Sequence, residues 1–440
     1  MKILVTNTVI LNGGDAAILL SIINLLKREF GQDTELIIYD SQPEIAKRYY
    51  PNLNLRKLIY QKLTDTPSMK YLGGSLIGRS LRFVCKKILQ FFLSINPLRF
   101  YFAAWCWLHK FDWITKLLLN NQELEDVHNY SSADLIVSTG GTYLVENYSL
   151  DSRIFDYQIS LLMQKPLVFY TQSLGPFSSN KNKYHLPKIF NRSLLILLRD
   201  EASLKHLEDI QVDTKKAYVS SDVVFAFTEG LEQENNFNFD SIGNFPFKIA
   251  VSVRNWQYFK TTDAQTGMNI FRKSLSAVTK YLVEKHNAEI TYISTCQGIA
   301  DYWNDDSKVA LEIADSLPKE IQKQVNVDRD FHSPQELIGI LNSYDLVIAT
   351  RMHMAILSLV AGTPVFPIAY EFKTKELFQR LEMGKWIQDI ENVQQESIIA
   401  SIQLFIDQLP EIKQKLSINV KNERERALQS AKIVKTAFEQ

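Results

Sequence analysis

Short apolar runs alternate with helix-period segments along most of the 440 residues. Residues 3–6 have the composition of a short buried strand. A polar, glycine-containing turn follows, and from about Ala16 the apolar residues Ile18, Leu19, Ile22, Ile23 and Leu26 fall at helical spacing. Strand, turn and helix open a βαβ unit. Further strands are predicted at 36–39, 135–137, 167–170 and 195–198, with helix-patterned segments between several of them. Apolar runs of this kind belong to a mostly parallel sheet covered on both faces. From 229 to 244, EGLEQENNFNFDSIGN, acidic and Asn residues displace the apolar runs and mark an interdomain linker. Beyond it the same grammar restarts. It predicts strands at 249–253, 289–294 and 346–349, and helices near 271–285, near 335–341 and from about Met354. The expectation is two successive α/β domains with a cleft between them.

One stretch departs from that grammar. Residues 78–119 are far richer in aromatics than the chain average of 11%. Leu81, Val84, Ile88, Phe91 and Phe92 share one helical face, with Arg79, Arg82, Lys86 and Lys87 largely off it, which describes a basic amphipathic helix. Asn96, Pro97 and Arg99 interrupt the apolar run before it reaches the roughly 20 residues that cross a bilayer. Two readings stay open. The insert docks on a membrane surface, or it packs on the first lobe or on a second copy of the chain.

Composition narrows the partners. At 46% hydrophobic and 22% charged the chain is an ordinary soluble globular protein. Lys+Arg and Asp+Glu balance at 49 each, so no global field points to nucleic acid, and any anionic ligand must be held by local groups. Cys85, Cys106 and Cys296 are scattered without C-x-x-C spacing, which predicts no disulfide framework or zinc site and a reducing, cytoplasmic setting. The N-terminal apolar stretch is broken by Asn7, Asn12, Gly13, Gly14 and Asp15 and lacks a small-residue cleavage site, so no signal peptide is expected. No metal is expected either, and the DYWNDD run around Asp305 reads as a solvated loop.

Candidate chemistry gathers at predicted strand ends, where open α/β sheets bind ligands. Asn12, Gly13, Gly14 and Asp15 join the first strand to the first helix. They read either as a backbone approach to an anion or sugar hydroxyl, or as a tight turn with Asp15 as N-cap. Gly140 and Gly141 in STGGTYL form a second such loop, and Gln172 and Ser173 in YTQSLGPF follow another strand. Arg199 and Asp200 read as capping and strapping groups, and Asp222 stands open between that and ligand contact. Arg254 ends VSVR, and Arg351 and His353 end VIATRMH. An arginine cannot shed its charge, so one at the end of a buried strand requires an anionic partner. Either both arginines are held by internal carboxylates and His353 caps the next helix, or the three converge on a small polyanion undergoing proton transfer.

NGGDAAIL, DLIVSTGGTYL, YTQSLGPF, RDEASLKHL, SSDVVFAF, VSVRNW and above all DLVIATRMHMAILSLVAGTPVFPIAYEFKTKEL resemble the polysaccharide pyruvyl transferase family, in its order, over residues 1 to about 380. The resemblance implies two Rossmann-like lobes with parallel sheets, similar to the GT-B glycosyltransferases. Residues 1–235 would form the first lobe on the acceptor-sugar side, 246–415 the second on the donor side, and 416–440 a C-terminal helix. It implies transfer of the enolpyruvyl group of phosphoenolpyruvate onto two saccharide hydroxyls as a cyclic ketal, without a further cofactor. Arg254, Arg351 and His353 would grip the donor, with Lys373 adding charge. The acceptor would be a saccharide, whether or not carried on polyprenyl diphosphate. The enzyme would be cytoplasmic, at the inner face of the cytoplasmic membrane if residues 78–119 dock there. Thr139, Thr142 and Thr171 depart from positions where that family often has glycine, which bears on the acceptor more than the donor. A GT-B nucleotide-sugar glycosyltransferase and a non-enzymatic saccharide-binding protein are the alternatives.

Overall fold

The computed structural model describes residues 1–65, 95–227 and 247–440. The expected linker at 229–244 and the basic amphipathic segment through Arg82, Lys86 and Lys87 lie outside the described residues. The chain forms two compact units, each built on a parallel sheet.

Unit 1 comprises Met1–Val9, Ile23–Val219 and Ala431–Gln440. Its strands are β1 (Lys2–Thr8), β2 (Glu35–Asp40), β3 (Leu55–Lys57), β4 (Leu135–Ser138), β5 (Gly141–Leu144), β6 (Leu167–Leu174), β7 (Leu195–Leu198) and β8 (Ala217–Val219). They run in the order β3-β2-β1-β4-β6-β7-β8, with β5 beside β6, and every pair is parallel. The central strands are buried on both faces. Helices such as Asp151–Leu162 and Asn180–Arg192 set Ile154, Tyr157, Leu186 and Phe190 against them in one core. The end of the chain joins this unit through the Phe30–Phe438 edge contact and a bond from Lys435 Nζ to the Glu29 carbonyl.

Unit 2 comprises Ile10–Ile22 and Ser220–Ser430. Its strands are β9 (Lys248–Ser252), β10 (Glu289–Tyr292), β11 (Val325–Val327), β12 (Leu346–Ala349), β13 (Val365–Ala369) and β14 (Gln388–Asp389), in the parallel order β11-β10-β9-β12-β13-β14. The units therefore do not follow one cut in chain order. Residues 220–227 go with the second sheet because Ser221 Oγ donates to the buried Glu423 carboxylate, which Arg380 also holds at 2.5 Å. Loop 10–15 goes with it because the Gly13 amide donates to the Thr295 carbonyl at 2.8 Å.

Two local expectations are corrected. The first helix starts at Gly13 rather than near Ala16, and Asn12, not Asp15, caps it: Asn12 Oδ1 accepts from the Gly14 amide at 3.0 Å and its carbonyl from Ala16. Gln172 and Ser173 do not follow their strand but continue it as far as Leu174, past an irregularity in the β6–β7 pairing. Thr171, inside that irregularity, has φ +45°, a left-handed conformation costly for a β-branched side chain.

Candidate functional site

In unit 2 the strand order reverses direction between β9 and β12. Outside the carboxyl ends of such a switch the flanking crossovers leave on opposite faces and open a crevice. Ser252 pairs with Ala349, and the Thr350 amide donates to the Ser252 carbonyl at 3.0 Å, so the two strands end level. Arg254 and Arg351 each stand two residues beyond those paired positions.

The two arginines are held differently. Arg351 makes a two-pronged pair with Asp306, Nε to Oδ2 at 2.8 Å and Nη2 to Oδ1 at 2.7 Å, and Ser294 Oγ donates to the same carboxylate at 2.5 Å. Burial works against the Arg351 charge, but the Asp306 carboxylate outweighs it and raises the guanidinium pKa well above its ordinary value. The DYWNDD run is therefore not a simple solvated loop. Asp306 is buried, as is Tyr302, whereas Trp303 is exposed. Sequence spacing carries no sign of the Arg351–Asp306 pair, because its members are 45 residues apart.

Arg254 has no carboxylate within ion-pair reach among the described residues. Its guanidinium lies over the Tyr370 ring at 4.3 Å and the Trp256 ring at 5.0 Å, and Nε donates to the Asn255 carbonyl at 3.3 Å. Aromatic faces position a guanidinium without neutralising it. Fully buried Cys296 has its thiol pushed up to about 12 by burial, and it senses Arg351, Asp306, Asp15 and Arg254 together.

His353 lies in the first turn of the helix Met352–Val360, with its Nε2 3.5 Å from Asp222 Oδ2. Asp222 is fixed as the N-cap of the short turn Val223–Ala226, its Oδ1 accepting from the Val224 amide. Gly14 packs directly on the imidazole: a Cβ there would stand 2.5 Å from His353 Nδ1. The loop needs glycine here for close approach, not only for turning. Arg351, Arg254, His353, Asp222 and the Asn12–Asp15 loop thus all belong to one compact unit. Lys373 is paired with Glu371 at 2.8 Å.

Unit 1 gathers the remaining candidates at the ends of β4 and β6. Gly141 pairs with Gln172, whose Nε2 donates to the Thr139 carbonyl. Gly141 has φ +133°, and Gly140 precedes it in the turn out of β4. The Gln172 carbonyl oxygen is buried without a partner among the described residues. Ser173 sits in a structural knot, accepting from Arg199 Nε at 2.7 Å and donating to Asp200, while Arg199 Nη2 reaches Thr142 Oγ1 at 2.7 Å. Asp200 caps the next helix through the Ser203 amide. Arg199 and Asp200 are the straps their positions suggest.

With this geometry in place, three comparisons are informative. Amylovoran biosynthesis protein AmsJ of Erwinia amylovora is 27% identical over 295 residues, 66% of this chain and 70% of that protein. Anabaena Alr3699/HepE, solved with UDP-glucose, superposes with a TM-score of 0.54 at 13% identity, covering 99% of each chain. UDP-GlcNAc 2-epimerase from Neisseria meningitidis, solved with UDP-GlcNAc, superposes with a TM-score of 0.57 at 12% identity over 100% of both chains. The two structures establish the GT-B-like class of paired Rossmann-like units and nothing about ligands. The sequence pattern of the polysaccharide pyruvyl transferases matches residues 12–371, from the Asn12 loop past Arg254, Arg351 and His353, and the chain belongs to that family.

Proposed function

We propose that the protein transfers the enolpyruvyl group of phosphoenolpyruvate to two hydroxyls of a saccharide, forming a cyclic ketal in cell-surface polysaccharide synthesis. The observation that carries this reading is the pair of arginines at the switch point of the second sheet. Arg254 has no carboxylate partner among the described residues, and Arg351 uses only two of its five N–H donors on Asp306. Phosphoenolpyruvate offers a carboxylate and a phosphate to match them. The net reaction balances without a further cofactor. C3 of the enol takes a proton, one acceptor oxygen bonds to C2, and the C2–O bond to phosphate breaks. The second acceptor oxygen then closes the ketal. Of the two hydroxyl protons, one ends on the new methyl group and one on inorganic phosphate.

His353, with Asp222 beside Nε2 and Gly14 against Nδ1, is the group suited to relay a proton, and the arginines would offset charge on the departing phosphate. Gln172, with its unpartnered carbonyl oxygen, and the Gly140–Gly141 turn are assigned to the acceptor. A cytoplasmic enzyme peripheral to the inner membrane face, acting on a lipid-carried saccharide, completes the reading.

The test is incubation with phosphoenolpyruvate and saccharide acceptors. Inorganic phosphate should be released in step with a methyl ketal signal in the proton spectrum. Release of nucleotide from a nucleotide sugar instead would make the chain a glycosyltransferase, and saccharide binding with neither release would make it a binding protein. His353→Ala should fold and lose nearly all turnover per folded molecule, even where loss of its contact with buried Asp222 lowers the unfolding midpoint. Normal turnover with a lowered midpoint would leave His353 a structural residue.

A further inference from the structure

Residues 95–108 form a helix with two unlike faces. Phe100, Ala103 and Ala104, at i, i+3 and i+4, are fully buried in the unit 1 core. The opposite face presents Leu98, Phe102 and Trp105 at 69%, 51% and 39% exposure. Trp105 lies against His109 with ring centroids 4.1 Å apart, and against Phe102 and Phe111 at 6.1 and 6.3 Å. Trp113 and Leu117, just beyond, are more exposed still. Exposed large apolar side chains gathered on one short stretch in this way mark a contact site.

Beside Trp105 opens a pocket of about 410 Å³, entirely within unit 1. Leu108, Leu161 and Ile189 line it together with His185, Lys188 and Arg192. The cations have no carboxylate of their own among the described residues. Lys188 Nζ rests over the Tyr184 ring at 3.3 Å, and Arg192 Nη2 donates to the Leu161 carbonyl at 3.5 Å. Burial together with Lys181 and Lys188 lowers the His185 pKa, while the opposing Asp151 is itself paired with Lys181. The lining thus mixes apolar side chains with positive charge that no carboxylate among the described residues pairs.

A neutral saccharide has no use for these cations, and a soluble anion has no use for Leu98, Trp113 and Leu117. A second copy of the chain is disfavoured, because a two-fold contact through this face brings like charges together. An exposed tryptophan beside Lys and Arg that no carboxylate pairs suits the headgroup layer of an anionic bilayer.

We infer that this face of unit 1 docks on an anionic membrane, with a lipid phosphate seated against Lys188 and Arg192 and the adjoining hydrocarbon against Trp105. The inference rests on the membrane half of the reading above and not on its chemistry. The test is co-sedimentation of the full chain with neutral phosphatidylcholine vesicles and with vesicles containing phosphatidylglycerol, at fixed ionic strength. Binding should require the anionic lipid and fall at least tenfold in the double variant Lys188→Glu/Arg192→Glu. It should fall again in Trp105→Ala. Turnover of a soluble acceptor should be unchanged in the same variants, and the vesicle result stands even where no turnover is found. Three results would each overturn the inference: no sedimentation with any vesicle, equal sedimentation of the double variant, or binding abolished by inorganic phosphate in place of chloride. A chain that is dimeric in solution and becomes monomeric as Trp105→Ala would give the face to a second copy instead.

Discussion

Arg351 carries two demands at once. Its two-pronged bond to Asp306 holds together two side chains that are 11% and 3% exposed, so it supports unit 2 whatever else it does. Removing the guanidinium altogether strands a buried carboxylate, which costs about 3–5 kcal/mol. Lysine keeps the charge but supplies a single point donor, and the loss of one bond to a charged group is about 1.5–3 kcal/mol. Arg351→Lys should therefore lower the unfolding free energy by that smaller amount. In the folded fraction it should also reduce phosphate release on the order of 10²-fold, as for one lost preorganised donor. Chemical unfolding and the phosphate assay, run on the same preparation, separate the two effects. A midpoint shift with normal turnover would confine Arg351 to holding Asp306. The anionic partner demanded by an arginine at a strand end was legible in the sequence, but its identity was not. Asp306 lies in a polar run whose composition looks solvated, and only the fold buries it.

Burial made most strands legible but not all, since β13 is buried along its whole length and was not predicted. The apolar strands β1, β2, β4, β7, β9 and β12 announce themselves because parallel strands covered on both faces need continuous apolar runs. The three-residue strands β3, β8 and β11 do not, since they are short and most of their residues are only half-buried. β5 was hidden for another reason: Gly140 and Gly141 read as loop, yet Gly141 at φ +133° is what lets the chain turn and re-enter the sheet beside β6. Glycine's meaning thus depends on its element. In the helix Pro334–Leu341, Gly339 is exposed, has an ordinary helical backbone, and has nothing within 4 Å of an added Cβ. Gly339→Ala should stabilise unit 2 by about 0.5–1 kcal/mol through the entropy of the unfolded chain. Gly141→Ala, forced into a strained backbone and within 2.7 Å of the Tyr143 ring, should destabilise unit 1 by about 1–3 kcal/mol. Opposite signs in denaturant unfolding would confirm the distinction, and equal signs would refute it.

Across the whole molecule the balanced charge conceals a buried acid in unit 1. Asp156, in the helix Asp151–Leu162, is fully buried, and burial pushes its carboxyl up to about 8. In an unfolded chain the same group titrates near ~3.9. Between those two values the folded protein holds a proton that the unfolded chain has released, so unfolding loses a proton and stability falls as pH rises. The contribution is complete below about pH 4 and is lost as pH climbs through about 8, at no more than ~1.4 kcal/mol per pH unit. Two compact units need not unfold together, so a single global midpoint would blur this effect. Hydrogen exchange resolves it: protection of the amides in Asp151–Leu162 should weaken between pH 5 and 7.5, after correction for intrinsic exchange, relative to those in the unit 2 helix Ala264–His286. Asp156→Asn, neutral at every pH and nearly the same shape, should flatten the unit 1 dependence and leave unit 2 unchanged. An equal pH slope in the wild type and in Asp156→Asn would mean that Asp156 is ionised in the folded protein, and that its burial is compensated by a group other than a proton.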